Sequence, residues 1–173
     1  MTTNLDEPDR ADLLEALAYQ RASVQSIVAG LSEQDWHTSV VPSGWTPAGF
    51  VAHLGGAERH WTCRVVLDHD PGHPFDEDSD DDEPYDPNAP FVIDWPSTKV
   101  LAYYQDQARQ TDEMLAVTPL GSAPRGFHVS PDAEQPRTVR AIVLHLIEET
   151  AAHSGHLEIA RELLDGRTRL GLR

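Results

Sequence analysis

Near its C-terminus the chain reads LHLIEETAAHSGHLEIARELLDG, in which Glu149, His153 and His156 fall at i, i+4 and i+7. Side chains four apart on a helix lie one above the other, close enough to share a bound ion. On a wheel of about 100° per residue the three fall within roughly 60° of the centre of the stripe marked by Ile142, Leu146, Ala160 and Leu164. The pattern places a carboxylate and two imidazoles on an apolar face. A buried, unpaired carboxylate costs several kcal/mol, so it must be neutralised, hydrogen-bonded or bound to a cation. A divalent metal accepts both a carboxylate oxygen and neutral imidazole nitrogens. The competing reading is a core glutamate hydrogen-bonded to two satisfied histidines.

These residues need a helix to align them, and the spacing predicts one from Thr138 to Gly166. Thr138 is its N-cap, and Gly166 stands where a helix stops. A second helix is predicted from Thr46 to Asp68, with Thr46 as N-cap and Pro47 in its first turn. Phe50, Leu54, Ala57, Trp61 and Val65 form its apolar stripe, and His53 and His60 lie along one edge. Gly55 and Gly56 each cost about 1 kcal/mol in a helix interior, which is understandable where another backbone comes close. The expected partner is the last helix, with His53 facing Glu149 and His153. His60 is read as supporting or surface-exposed rather than as a ligand. Asp9 is expected to cap a first helix running to Gly30, and Ser32–Trp36 to add a short turn. A third long helix should run from Ser97 to about Val117, with Val100, Tyr104, Thr111 and Met114 inward. The predicted fold is all-α, a four-helix bundle with two long connections.

A length of 173 residues suits a single domain spanning residues 1–173. The net charge of −16 opposes nucleic-acid binding, because a phosphate backbone would be repelled. One cysteine, Cys63, allows no internal disulfide and fits a reducing compartment. It projects away from the Phe50–Trp61 stripe and is not read as a nucleophile. No signal-peptide pattern opens the chain, and no apolar run approaches the roughly 20 residues that span a bilayer. The expectation is a cytoplasmic protein without a membrane partner. P-loop, dinucleotide and nucleophile-elbow motifs are absent.

Between Asp68 and Thr98 the chain holds eleven acids, repeated prolines and no Lys or Arg. Such a stretch cannot form a regular helix, and its DEDSDDDE run lacks the glycine and terminal glutamate of a calcium loop. It reads as an acidic loop insertion over about 68–98. Phe75, Tyr85, Phe91, Ile93 and Trp95 are expected to fold back over the bundle.

Together, SGWTPAGFVAHLGGAERHW and LHLIEETAAHSGHLEIARELLDG resemble the DinB/YfiT-like metalloenzyme superfamily. The nearer resemblance is to its branch of domains of unknown function called mini-circle proteins. The resemblance implies a four-helix bundle with up-down-down-up connections. It also implies a divalent metal, zinc first and nickel or iron as alternatives, on His53, Glu149 and His153. The superfamily includes mycothiol-dependent maleylpyruvate isomerase; the resemblance extends to its His, Glu, His set and not to its additional C-terminal domain.

Three protein ligands leave a position open on zinc, the arrangement of a catalytic site. That position suits water, activated as hydroxide, or a low-molecular-weight thiol such as mycothiol, deprotonated for attack on an electrophilic substrate. His156 is the candidate catalytic residue, placed for a hydrogen bond to a ligand, a proton relay or a fourth ligand. The functional expectation is a metal-dependent thiol S-transferase or thiol-dependent isomerase, with hydrolysis behind it. A non-catalytic metal-binding bundle serving as an interaction module is the alternative, and a homodimer fits either. Because its charge is self-repelling, shortening the DEDSDDDE run should leave the melting temperature within about 2 °C of the parent. A larger loss in a thermal melt would show the run to be structural.

Overall fold

The computed structural model describes residues 6–69, 89–128 and 134–168. Every regular element among them is helical: α1 (Asp6–Val28), α2 (Glu33–Trp36), α3 (Pro47–Arg59), α4 (Ser97–Val117) and α5 (Val139–Asp165). A π-helical segment, His60–Val66, continues α3. None of these helices is long and apolar enough to cross a membrane. The centre of the acidic insertion, with Phe75 and Tyr85, lies outside the described residues.

Local chemistry sets the helix ends. Thr46 Oγ1 accepts from the Gly49 amide at 3.1 Å, and Thr138 Oγ1 from Ala141 at 3.2 Å. Gly166 closes α5 at φ 75°, a left-handed conformation that glycine adopts freely. The short turn expected over Ser32–Trp36 is present as α2, and Ser32 caps it. The first helix departs from expectation: it begins at Asp6, so Asp9 lies inside it rather than capping it.

Side-chain contacts give the direction of each helix. Arg140 pairs with Asp9 at 3.2 Å while Arg161 donates to Ile27 O at 2.6 Å, so α1 and α5 run parallel. Gly55 packs on Tyr103 and Tyr104, and Thr62 bonds Thr111 at 2.9 Å, so α3 and α4 also run parallel. Phe50 meets His153 and Trp61 meets His145, which makes α3 and α5 antiparallel. The bundle is therefore up-down-down-up. The Gly55 contact corrects the expected packing. A Cβ on Gly55 would fall 2.7 Å from the Tyr103 ring, so the close approach is to α4, while Gly56 faces open space.

The core divides into two apolar clusters. Val24, Trp45, Phe50, Leu54, Val100 and Leu157 belong to one, and Leu17, Val65, Leu115, Leu120, Ile142 and Leu146 to the other. Between them lie buried polar residues from all four long helices, including Arg21, Glu58, Thr111 and Thr150. Arg21 takes a position in the α1 stripe and forks onto Glu58 at 2.7 and 2.6 Å, with a third bond to Asp112 at 2.7 Å. Planar two-point pairing of this kind compensates desolvation best. Glu58 is 1 % exposed. Removing one partner of a buried pair costs about 3–5 kcal/mol, because the other charge stays buried and unpaired. Glu58→Ala should lower unfolding free energy by that amount in a urea titration. Replacing Arg21 and Glu58 together by Met and Leu should cost clearly less.

Candidate metal centre

The α3 and α5 helices bring three predicted residues to one place. His53 Nε2 and His153 Nε2 each lie 3.1 Å from Glu149 Oε1. One donor atom from each of the three lies within 4.8 Å of the others. Tetrahedral zinc with bonds near 2.0–2.1 Å holds its ligands roughly 3.3 Å apart, close to the N···O separations here. Burial alone would push the Glu149 carboxyl up, but the hydrogen bond from His53 and the charges of His153 and His53 outweigh it and hold the group below its usual range. Burial pushes the His153 imidazole down, with Glu149 opposing. Near neutrality the set is one carboxylate and an imidazole biased toward its neutral form, which is the donor chemistry a divalent cation requires.

The three groups occupy the rim of the apolar face rather than its centre. Side-chain exposures are 27 % for His53, 27 % for Glu149 and 16 % for His153. The buried stripe of α5 runs through Ile142, Leu146, Thr150, Leu157, Ala160 and Arg161, leaving Leu164 only half-buried. Arg161 replaces it by bonding Ile27 O, Ala29 O and Asp165. The stripe is rotated from the expected one, so His156 is exposed. Its Nδ1 lies 3.3 Å from His153 Nδ1, and it falls outside the set that shares one point.

Aromatic rings wall the centre. Phe91 stacks on His53 at 4.1 Å and 19°, and Phe50 meets His153 edge-on at 4.7 Å. Phe91 O accepts from the Thr46 amide at 3.0 Å, and a Cβ on Gly49 would lie 1.8 Å from that oxygen. Gly49 thus admits the 89–95 segment onto the start of α3. Spacing could not assign Phe91 to the site, because its role depends on where an irregular connection lands.

His60 is held elsewhere. Its Nε2 shares a 2.8 Å hydrogen bond with His128 Nδ1, a contact nothing in the sequence pattern marked. Cys63 is half-buried, and burial pushes its thiol up, away from the low value a nucleophile needs.

Residues 12–166 match the family described as Mycothiol-S-transferase. The chain belongs to this DinB/YfiT-like family. No curated protein sequence matches it. Among solved structures it is similar to a conserved protein from Enterococcus faecalis, at TM-score 0.62 and 14 % identity, over 91 % of this chain and 97 % of that one. That likeness is one of fold. The family's name points to transfer involving a thiol.

Burial, His128 and Arg64 push the His60 imidazole down to about 4. The folded chain therefore binds fewer protons at this site than the unfolded chain between about pH 6.5 and 4, and stability falls as pH falls through that window. The loss is fully developed below about pH 4 and absent above about pH 7. His60→Gln should reduce the acid-induced loss by at most about 2 kcal/mol, less than the full shift implies because solvent reaches the half-buried ring, measured by urea unfolding at a series of pH values.

Proposed function

We propose that this protein joins the thiol sulfur of mycothiol to an electrophilic small molecule at a divalent-metal centre, most suitably zinc, held by His53, Glu149 and His153. The observation that carries the reading is the convergence of two imidazole nitrogens on one carboxylate oxygen, at 3.1 Å each, in a member of a mycothiol S-transferase family. When bound, the ion would supply the positive charge that favours thiolate over thiol at neutral pH.

The chain's own residues do the rest. His53 and His153 present Nε2, and Glu149 presents its carboxylate, from two packed helices that fix their separation. Phe91 against His53 and Phe50 against His153 restrict the rings and keep water from one side. The Nδ1–Nδ1 hydrogen bond to His156 sets which nitrogen of His153 turns inward. His156 also links that ring to solvent and acts as a positioning residue. In the overall reaction a carbon–sulfur bond forms as the carbon–leaving-group bond breaks. The thiol proton leaves with the displaced group.

Tag-free protein from metal-supplemented medium should carry close to one divalent ion per chain, and conjugate mycothiol to a fluorogenic alkyl halide. His153→Ala should lose most of the metal and lower kcat/KM at least about 100-fold, whereas His60→Ala should retain its metal. Metal occupancy should fall below about pH 6, since imidazole must be neutral to coordinate. Full occupancy in His153→Ala would overturn the site. Metal without conjugation of any thiol would leave a non-catalytic metal-binding bundle.

A further inference from the structure

The α3 and α5 helices bring a second cluster of side chains together beyond the three metal candidates. His145 stands one turn before Glu149 on α5, and His60 and Trp61 stand two turns beyond His53. Trp61 meets His145 edge-on at 4.8 Å and stacks on His128 at 4.6 Å and 22°. Gln135 fixes His128 from both sides: its Oε1 accepts from the His128 amide at 2.7 Å and its Nε2 donates to the His128 carbonyl at 3.2 Å. Beside this cluster lies a pocket of about 340 Å³, lined by Trp61, His145, Ala141, Ile142, Glu134 and Gln135. That volume is within the range of small-molecule sites. A Cβ placed on Gly56, between His53 and His60 on α3, would meet nothing within 4 Å, so no protein atom crowds that position.

The lining defines a ligand class. An indole, an isoleucine and an alanine offer an apolar wall, and His145, Gln135 and the exposed Glu134 add hydrogen-bonding groups around it. Burial pushes both His60 and His128 down, so these two imidazoles favour their neutral forms near neutrality, and the nearby cation, Arg64, is not among the residues lining the pocket. An uncharged ring with C–H faces and a hydroxylated edge satisfies such a surface, whereas an anion would meet Glu134, and among the described residues no cation lines the pocket. Position agrees with this. His145 lies about 6 Å along the α5 axis from Glu149 and about 12 Å from His153. The cysteinyl arm joining the sulfur of mycothiol to its sugar spans roughly 6–8 Å when extended.

We propose that the Trp61–His145–Glu134 pocket is a second subsite that holds the sugar–inositol body of mycothiol while its sulfur reaches His53, Glu149 and His153. The inference rests on the transferase reading for its ligand but uses different residues, so the two can fail separately. The probe is sulfur-free N-acetylglucosaminyl-inositol, whose nitrogen is acylated and uncharged as it is in mycothiol, titrated into the purified full chain by calorimetry. Wild type should bind it. Trp61→Ala should weaken binding at least 10-fold. Ala141→Phe, which fills the pocket without removing a contact, should do the same if Trp61→Ala fails to fold. His153→Ala should change binding less than two-fold. Absence of binding to wild type, or unchanged binding in both pocket variants, overturns the subsite even where mycothiol conjugation is observed. Binding that follows this pattern without conjugation supports the subsite and overturns the transferase reading.

Discussion

The buried Arg21–Glu58 pair sets the rotation of α3, and the site follows from that rotation. Two charges removed from water are tolerated only where the geometry satisfies them, and the two-point fork supplies it. Glu58 must therefore face α1 and α4. At about 100° per residue, His53 then lies roughly 140° away, on the edge toward α5. His60 follows His53 two turns along, so both imidazoles border one groove. The packing of Gly55 against Tyr103 and Tyr104 fixes the same rotation from the α4 side.

The π-helical segment has a comparable consequence for the far end of that groove. Its wider turn accompanies a register in which Val65 O and Val66 O accept from Gly126 and Arg125, at 2.9 and 3.2 Å. A Cβ on Gly126 would lie 2.1 Å from Arg64 O, so glycine is what lets this loop dock. Docking carries His128 to His60 and Trp61. The same connection satisfies the start of α5, where the amides of Val139 and Arg140 donate to Ser122 O and Leu120 O. Irregular backbone at this end thus serves helix capping and the pocket wall together.

A division of labour results. Helices supply the groups able to hold an ion, because helical spacing fixes separations that coordination requires. The two long connections supply the walls: Phe91 at one end, His128 and Glu134 at the other. On the proposed reading, changing a wall residue would alter what this face accepts without moving the groups that would hold the ion.

The elements readable from the chain alone are those whose cause lies within a few residues. Thr46–Pro47, Thr138 and Gly166 mark helix ends through local hydrogen bonds and a left-handed glycine, and the structure has them there. The Glu149–His153 pairing is equally local, a consequence of one helical turn. Facing His53 toward it required only two amphipathic helices sharing a core. The rest was decided by contacts between distant positions. Arg21 occupies a place in an apolar stripe because its partner is Glu58, 37 positions away, and no period in either segment announces that pairing. The face of α5 turned inward depends on Arg161 reaching the end of α1, which left His156 exposed. Gly55 made room for a close neighbour, as its cost in a helix implied, but only packing selected the Tyr103 ring of α4 as that neighbour. His128 and Phe91 lie in stretches without periodicity, where position depends on which carbonyls and glycines of a distant helix are free to receive them.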